Sequence, residues 1–194
     1  GGGGGSSVPP TQNMTFTNLN DGVYEGEAKG FNSSKNIKVK VTVQGGVITD
    51  ISLIDHGETA GYFGEEKARI LAQRIIDKKS SDVDIISGAT FSSKGFINAV
   101  VNAVKQVASS LNVSAKDDGN WTTFDANGKS YIDGALNGSR NNPKILLSNA
   151  KIDNDLVIRN TMVEGEVTLN NVKVDGTLII QGGGDNSVKL INSK

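Results

Sequence analysis

The chain has 194 residues, with 20 Lys and Arg against 21 Asp and Glu, a formal net charge of −1, one His and no Cys. That balance withholds the phosphate-neutralising surface of a nucleic-acid binder, and no stretch reaches the roughly 18 apolar residues of a membrane-spanning helix. Without Cys there is no thiolate nucleophile, disulfide, iron–sulfur cluster or zinc knuckle, and one His makes a poor basis for a metal site, so no metal is expected.

In chain order, residues 1–16 (Gly1 to Gly5, then Ser6-Ser7 and Pro9-Pro10) read as a flexible tether; with no initiating Met, this end is expected to arise by processing or cloning. Asp21 to Lys29 reads as a strand. Ile37, Val39, Val41 and Val43 alternate with polar residues, which predicts a strand solvated on one face. Gly45-Gly46 supplies a two-residue hairpin turn, and Val47 to Ile54 returns as the partner strand. Glu65 to Lys79 is predicted as an amphipathic helix, with acids first and lysines last to suit the helix dipole. A second helix is expected from Ser93 to Leu111, with Ser92 or Ser93 as its N-cap and Phe96, Val100, Val104, Val107 and Leu111 along one side.

The polar run from Ala115 to Gly128 marks a composition change, which places two domains at 17–115 and 116–194. Each is small enough that a cofactor or a neighbouring domain would help its core. In the second domain, segments beginning at Ile152, Val163 and Val174 repeat one another at a constant interval, with Asn160 and Asn171 recurring at corners. The array is expected to begin at Ile132. Such a repeat suits a parallel β-solenoid with two units per coil, and Leu156, Val167 and Leu178 are expected to form one internal column; an ordinary β-sandwich is the alternative. The last repeat carries no polar cap, so a longer parent chain is expected.

Ser87-Gly88-Ala89-Thr90 precedes the second helix, where unpaired N–H groups and the positive end of the dipole attract phosphate; simple helix capping accounts for the same residues. The Asn-x-Ser/Thr triplets at Asn13, Asn120 and Asn137, the segments Asp117-Asp118 and Asp125-Ala126-Asn127-Gly128, and the single Gly182-Gly183-Gly184-Asp185 element are read as chance matches and solvated turns.

Asp84-Ile85-Ile86-Ser87-Gly88-Ala89-Thr90 resembles the flavinylation signature of the FMN-binding domain family, which is found in flavin subunits of sodium-pumping quinone reductases and in secreted electron-transfer lipoproteins. His56-Gly57-Glu58-Thr59-Ala60-Gly61 resembles the His-x-Glu-Thr-x-Gly loop of the same family. The likeness covers about Asp21 to Leu111, with Ala60 where Pro is common in one branch and Tyr62-Phe63 where that branch has Leu-Gly. It implies an α+β domain, an antiparallel sheet with two main helices, ahead of the all-β solenoid. It further implies FMN joined to the Thr90 hydroxyl by a phosphoester, installed by a flavin transferase that uses FAD and a divalent metal. On this resemblance Ser87, Gly88 and Ala89 serve the phosphate, Glu58 and Thr59 contact the ring or ribityl chain, and Gly61 permits close approach. Tyr62 or Phe63 stacks on the ring, His56 is a turn residue or a flavin contact, and Asp84 positions the motif or serves the transferase.

The chemistry then belongs to the flavin, with no catalytic side chain required. The expected function is an electron carrier outside the cell or at its surface, lipid-anchored through a residue ahead of Gly1, exchanging electrons with a membrane redox partner or an external acceptor. Two alternatives are the electron-input domain of a larger extracellular reductase, and an adhesion or spacer protein in which FMN is ancillary.

Overall fold

In the computed structural model, which describes residues 11 and 13–194, strands β1 (Gly22–Ala28), β2 (Ile37–Gln44) and β3 (Val47–Asp55) form an antiparallel sheet in the order β1-β2-β3. The period-2 pattern places Ile37, Val39, Val41 and Val43 of β2 in the core. Gly45 and Gly46 both have positive φ, 65° and 81°, as the tight turn between β2 and β3 requires. Helix α1 (Glu65–Lys78) packs on β3, and helix α2 (Thr90–Val104) crosses β1 and β2. The crossing is close at Gly26, where a Cβ would collide with the backbone of Ala99 and Ala103.

Three expectations for this unit are corrected. Residues 1–10 and 12 of the expected tether lie outside the described residues, but Met14 and Phe16 are buried core. They are held by hydrogen bonds from Met14 N to Ser81 Oγ (2.7 Å), Ser81 N to Met14 O (2.9 Å) and Phe16 N to Lys79 O (2.8 Å). Helix α2 starts at Thr90 and not after Ser92 or Ser93, so neither serine caps it. It also ends early, at Val104, followed by a 3-10 turn over Lys105–Val107, so Leu111 lies beyond the helix.

The chain divides after Ala108, giving a second unit from Ser109. Strands β4 (Leu111–Ser114), β7 (Gly134–Asn137), β9 (Leu156–Ile158) and β11 (Leu178–Ile180) form one parallel ladder. A second ladder joins β5 (Trp121–Asp125), β8 (Lys144–Ile152), β10 (Glu166–Val174) and β12 (Val188–Ile191), with β6 (Ser130–Tyr131) also paired to β8. Lys144 pairs with Glu166 and Leu156 with Leu178, so each rung meets the rung two repeat units further along the chain. This is a parallel β-solenoid with two units per coil. Ile145, Leu147, Ile152, Leu156, Ile158, Val167 and Leu169 fill its interior.

Several details of the repeat differ from the expectation. The polar run Ala115–Gly128 contains β5, and β4 pairs with β7, so the solenoid begins at Leu111, a coil before Ile132, and the boundary falls ahead of 115. Leu156 and Leu178 share one column, whereas Val167 stacks between Ile145 and Val188 in another, because successive units lie on opposite sides of a coil. Asn171 does mark a corner with a left-handed backbone, φ 56°, but its counterparts are Asn149 (φ 56°) and Asn192 (φ 47°), whereas Asn160 opens a 3-10 turn. Asn171 Nδ2 donates to Asn149 Oδ1 at 2.8 Å, and Asn149 Nδ2 donates to Asp125 Oδ1 at 3.0 Å, a ladder along that corner.

Candidate functional site

The segment leading into α2 turns at Ile86–Ala89, closed by a hydrogen bond from Ala89 N to Ile86 O of 3.0 Å. Gly88 holds φ +82° there, and a Cβ would meet nothing within 4 Å, so the left-handed backbone and not crowding favours glycine. The first helical bond runs from Ser93 N to Ala89 O at 2.9 Å, and no side chain caps the helix. The first-turn N–H groups, with the positive end of the helix dipole, are therefore available to an anion beside the exposed Thr90.

Thr90 stands on the wall of a cavity of about 520 Å³. Gly88, Ala89, Phe91 and Ser92 share its α2 side, Thr59 and Tyr62 come from the loop after β3, and Phe31 comes from the loop after β1. Most of this wall is carbon, with aromatic rings of Phe31, Tyr62 and Phe91 at solvent-accessible positions. An apolar cleft with a few convergent hydroxyl and N–H groups suits a flat ligand that carries a phosphate.

Of the residues singled out from sequence, Thr59, Tyr62, Gly88, Ala89 and Thr90 line the cavity, and His56, Glu58, Gly61, Asp84 and Ser87 do not. Glu58 is buried, and its carboxylate is engaged by three donors. Its Oε1 accepts from Phe31 N (2.7 Å) and Ser92 Oγ (2.7 Å), and its Oε2 accepts from Asn32 N (3.1 Å). His56 braces the same loop, with Nδ1 accepting from Glu58 N at 3.1 Å. Asp55, just before it, has its carboxyl held below the usual range by a hydrogen bond from Lys35. Gly61 holds φ +86°, and the Lys67 ammonium donates to the carbonyls of Gly61 (3.0 Å) and Tyr62 (2.7 Å), which anchors the loop to α1. Asp84 is exposed, and its backbone carbonyl accepts from Arg74 Nη1 at 2.8 Å. The choice between the two neighbouring aromatics resolves by burial: Phe63 packs in the core with its ring 6.1 Å from Phe96, and Tyr62 is the one at the cavity.

Phe31 and Phe91 on the cavity wall were not foreseen from the sequence. Phe91, directly after the expected attachment residue, was open to inference from the motif alone. Phe31 carried no local signal, because its place depends on Glu58 and Phe91, both remote from it along the chain.

A sheet covered by two helices, with an uncapped helix start opening on an aromatic cavity, is an arrangement with room for a flat ligand that carries a phosphate. Comparison with known proteins makes that particular: residues 30–105 match the FMN-binding domain family, so the first unit carries an FMN-binding domain. The chain is 32% identical over 88 residues to an uncharacterized protein of Treponema pallidum (strain Nichols), an alignment covering 45% of this chain and 24% of that protein. It is also 32% identical over 108 residues to the NADH:acrylate oxidoreductase of Vibrio harveyi, covering 54% of this chain and 10% of that enzyme. The chain thus spans about a quarter and a tenth of these two relatives' lengths.

Proposed function

We propose that this protein is an electron-transfer module in which FMN is joined to Thr90 Oγ through a phosphoester. The observation that carries the reading is the position of Thr90: an exposed hydroxyl at an uncapped helix start, on the wall of an aromatic cavity, inside a segment that matches the FMN-binding domain family. FMN, when bound, supplies the two-electron and one-electron chemistry of its ring. The protein's residues supply placement. The first-turn N–H groups of α2 offer the phosphate its donors, Gly88 keeps the approach to them clear, and Tyr62 and Thr59 border the space left for the ring.

Attachment needs a transferase and FAD. The Thr90 oxygen forms one new bond to the FMN phosphorus, the pyrophosphate bond of FAD breaks, AMP leaves, and the hydroxyl proton passes to a base of the transferase. Thr90 takes no further part in turnover. An extracellular or surface location, with a lipid anchor and a membrane redox partner or external acceptor, completes the proposal. Among the described residues no helix is long and apolar enough to cross a membrane.

Intact-mass measurement of the full chain, co-expressed with a flavin transferase, tests the linkage. The wild type gains the mass of FMN less water, and Thr90→Val gains none; covalent flavin on Thr90→Val overturns the assignment.

A second reading is favoured by one finding, the likeness to an oxidoreductase of which the chain spans a tenth. In it the domain is the electron-input module of a larger reductase. Rapid reduction by NADH is the observation that separates the two.

A further inference from the structure

Phe31 is 68% exposed, yet its backbone and that of its neighbours are held by several hydrogen bonds. Its N–H and that of Asn32 both end on the carboxylate of Glu58, the side-chain amide of Asn32 donates to Gly57 O at 2.7 Å, and Ser34 N closes on Asn32 Oδ1 at 2.8 Å. Gly30, just before, is buried with no room for a side chain: a Cβ would collide with the Glu58 carboxylate and Ile37. From the other side, a Cβ on Gly95 of α2 would strike Lys29 O and Gly30 Cα. The loop is thus pressed between α2 and Glu58, and Ser92 ties Glu58 in turn to the first turn of α2.

A rigid loop that presents a bare phenyl ring at a cavity wall calls for a flat apolar surface to cover it. The ring does not stand alone. Phe91 lies 6.4 Å from it, ring to ring, at a tilt of 38°, and both line the cavity that Thr90 borders. On the FMN reading above, on which this inference rests, we infer that Phe31 and Phe91 form the aromatic wall against which the flavin ring lies, and that Glu58 is a positioning residue that sets Phe31. Glu58 itself does not touch the ring. Its carboxylate gathers two backbone N–H groups and one hydroxyl from segments far apart in sequence, so that the wall and the attachment point share one fixed frame.

The test uses the full chain expressed without a flavin transferase and titrated with FMN, followed by flavin fluorescence. Phe31→Trp places an indole, an efficient electron donor to excited flavin, on the proposed wall, and is expected to quench the emission of bound FMN several-fold relative to wild type. Phe31→Ala is expected to weaken FMN binding about tenfold, the scale of one lost aromatic stack. Adding Glu58→Ala to Phe31→Trp is expected to restore most of the emission, and Glu58→Gln to retain most of the quenching, because an amide oxygen can replace Oε1. Should Glu58→Ala lose its helical circular dichroism, Ser92→Ala takes its place, with partial recovery of emission expected. Emission unaltered by Phe31→Trp overturns the wall, and quenching unaltered by a folded Glu58→Ala or by Ser92→Ala overturns the positioning role. Failure of the wild type to bind FMN at all overturns the functional reading instead, so the two failures are distinguishable.

Discussion

Lys151 reaches Asp153 at 2.8 Å and Asp175 at 3.3 Å, and the Asp153 side chain is only 2% exposed. Burial pulls the ammonium's pKa down, but the hydrogen bonds and charges of Asp153 and Asp175 outweigh it and hold the value above the ordinary 10.5. A raised pKa means that folding favours the protonated form. This stabilisation is present in full below the ordinary lysine value and is lost as pH rises through the folded value. Lys151→Met is expected to destabilise the solenoid by roughly 2 kcal/mol at neutral pH, short of the full cost of breaking a buried pair because the lysine is partly solvated. The gap between wild type and variant in urea midpoint should stay constant up to about pH 10 and narrow above 10.5; a gap that widens there contradicts the sign. Residue by residue, the site was unevenly legible. The positions of Thr90 and Gly88 at the start of α2 could be read because they follow from a short contiguous segment. The turn of Glu58 toward Phe31, Asn32 and Ser92 could not, because it depends on three segments meeting in space.

At the scale of elements, alternation decides what each strand tolerates. In β10, Val167 and Leu169 are buried, and Thr168 between them is only partly covered on the outer face. Val167→Asp is expected to cost about 3 kcal/mol or more, since a charge enters an interior of Ile145, Leu147 and Val188 with no partner. Thr168→Asp should shift stability by no more than about 0.5 kcal/mol. Urea denaturation of the two variants decides it, and equal losses would contradict a one-sided strand. The same alternation explains why the hairpin of β2 and β3, helix α1 and the later coils were readable in sequence. The first coil was not, because it breaks the constant interval: Leu111 pairs with Gly134 and Trp121 with Lys144, each a position further on than the later rungs would set. Polar residues also dominate its corner. The N-cap of α2 was misplaced for a different reason. Ser92 and Ser93 have the chemistry of caps, but their hydroxyls are committed to Glu58 Oε1 (2.7 Å) and Ile86 N (3.2 Å) within the helix's own first turn.

For the molecule as a whole, the FMN-binding domain occupies the first unit and the solenoid the second, and neither sequence nor cavity offers the Gly-rich strand-to-helix turn of a dinucleotide site. The NADH and acrylate in the Vibrio harveyi relative's name belong to a protein of which the match covers only a tenth. The flavin-loaded chain alone is therefore expected to accept electrons from dithionite or a partner flavoprotein and only slowly from NADH. Stopped-flow absorbance of the oxidised flavin band measures this, and fast, saturable reduction by NADH would favour the reductase reading. The shared stride of the solenoid's middle coils carries a consequence for how such a protein varies in evolution. Every rung adds about 4.8 Å at the spacing of a β-ladder, and the middle rungs, Ile145 to Val167 and Leu156 to Leu178, use the same two repeat units of chain, whereas the step from Val167 to Val188 is one residue shorter. An in-frame duplication or deletion of the DNA encoding one coil therefore changes the unit's length by one step while leaving each interior column and the asparagine ladder in register, so reach can be inherited as a counted quantity, independently of the residues that hold the cofactor.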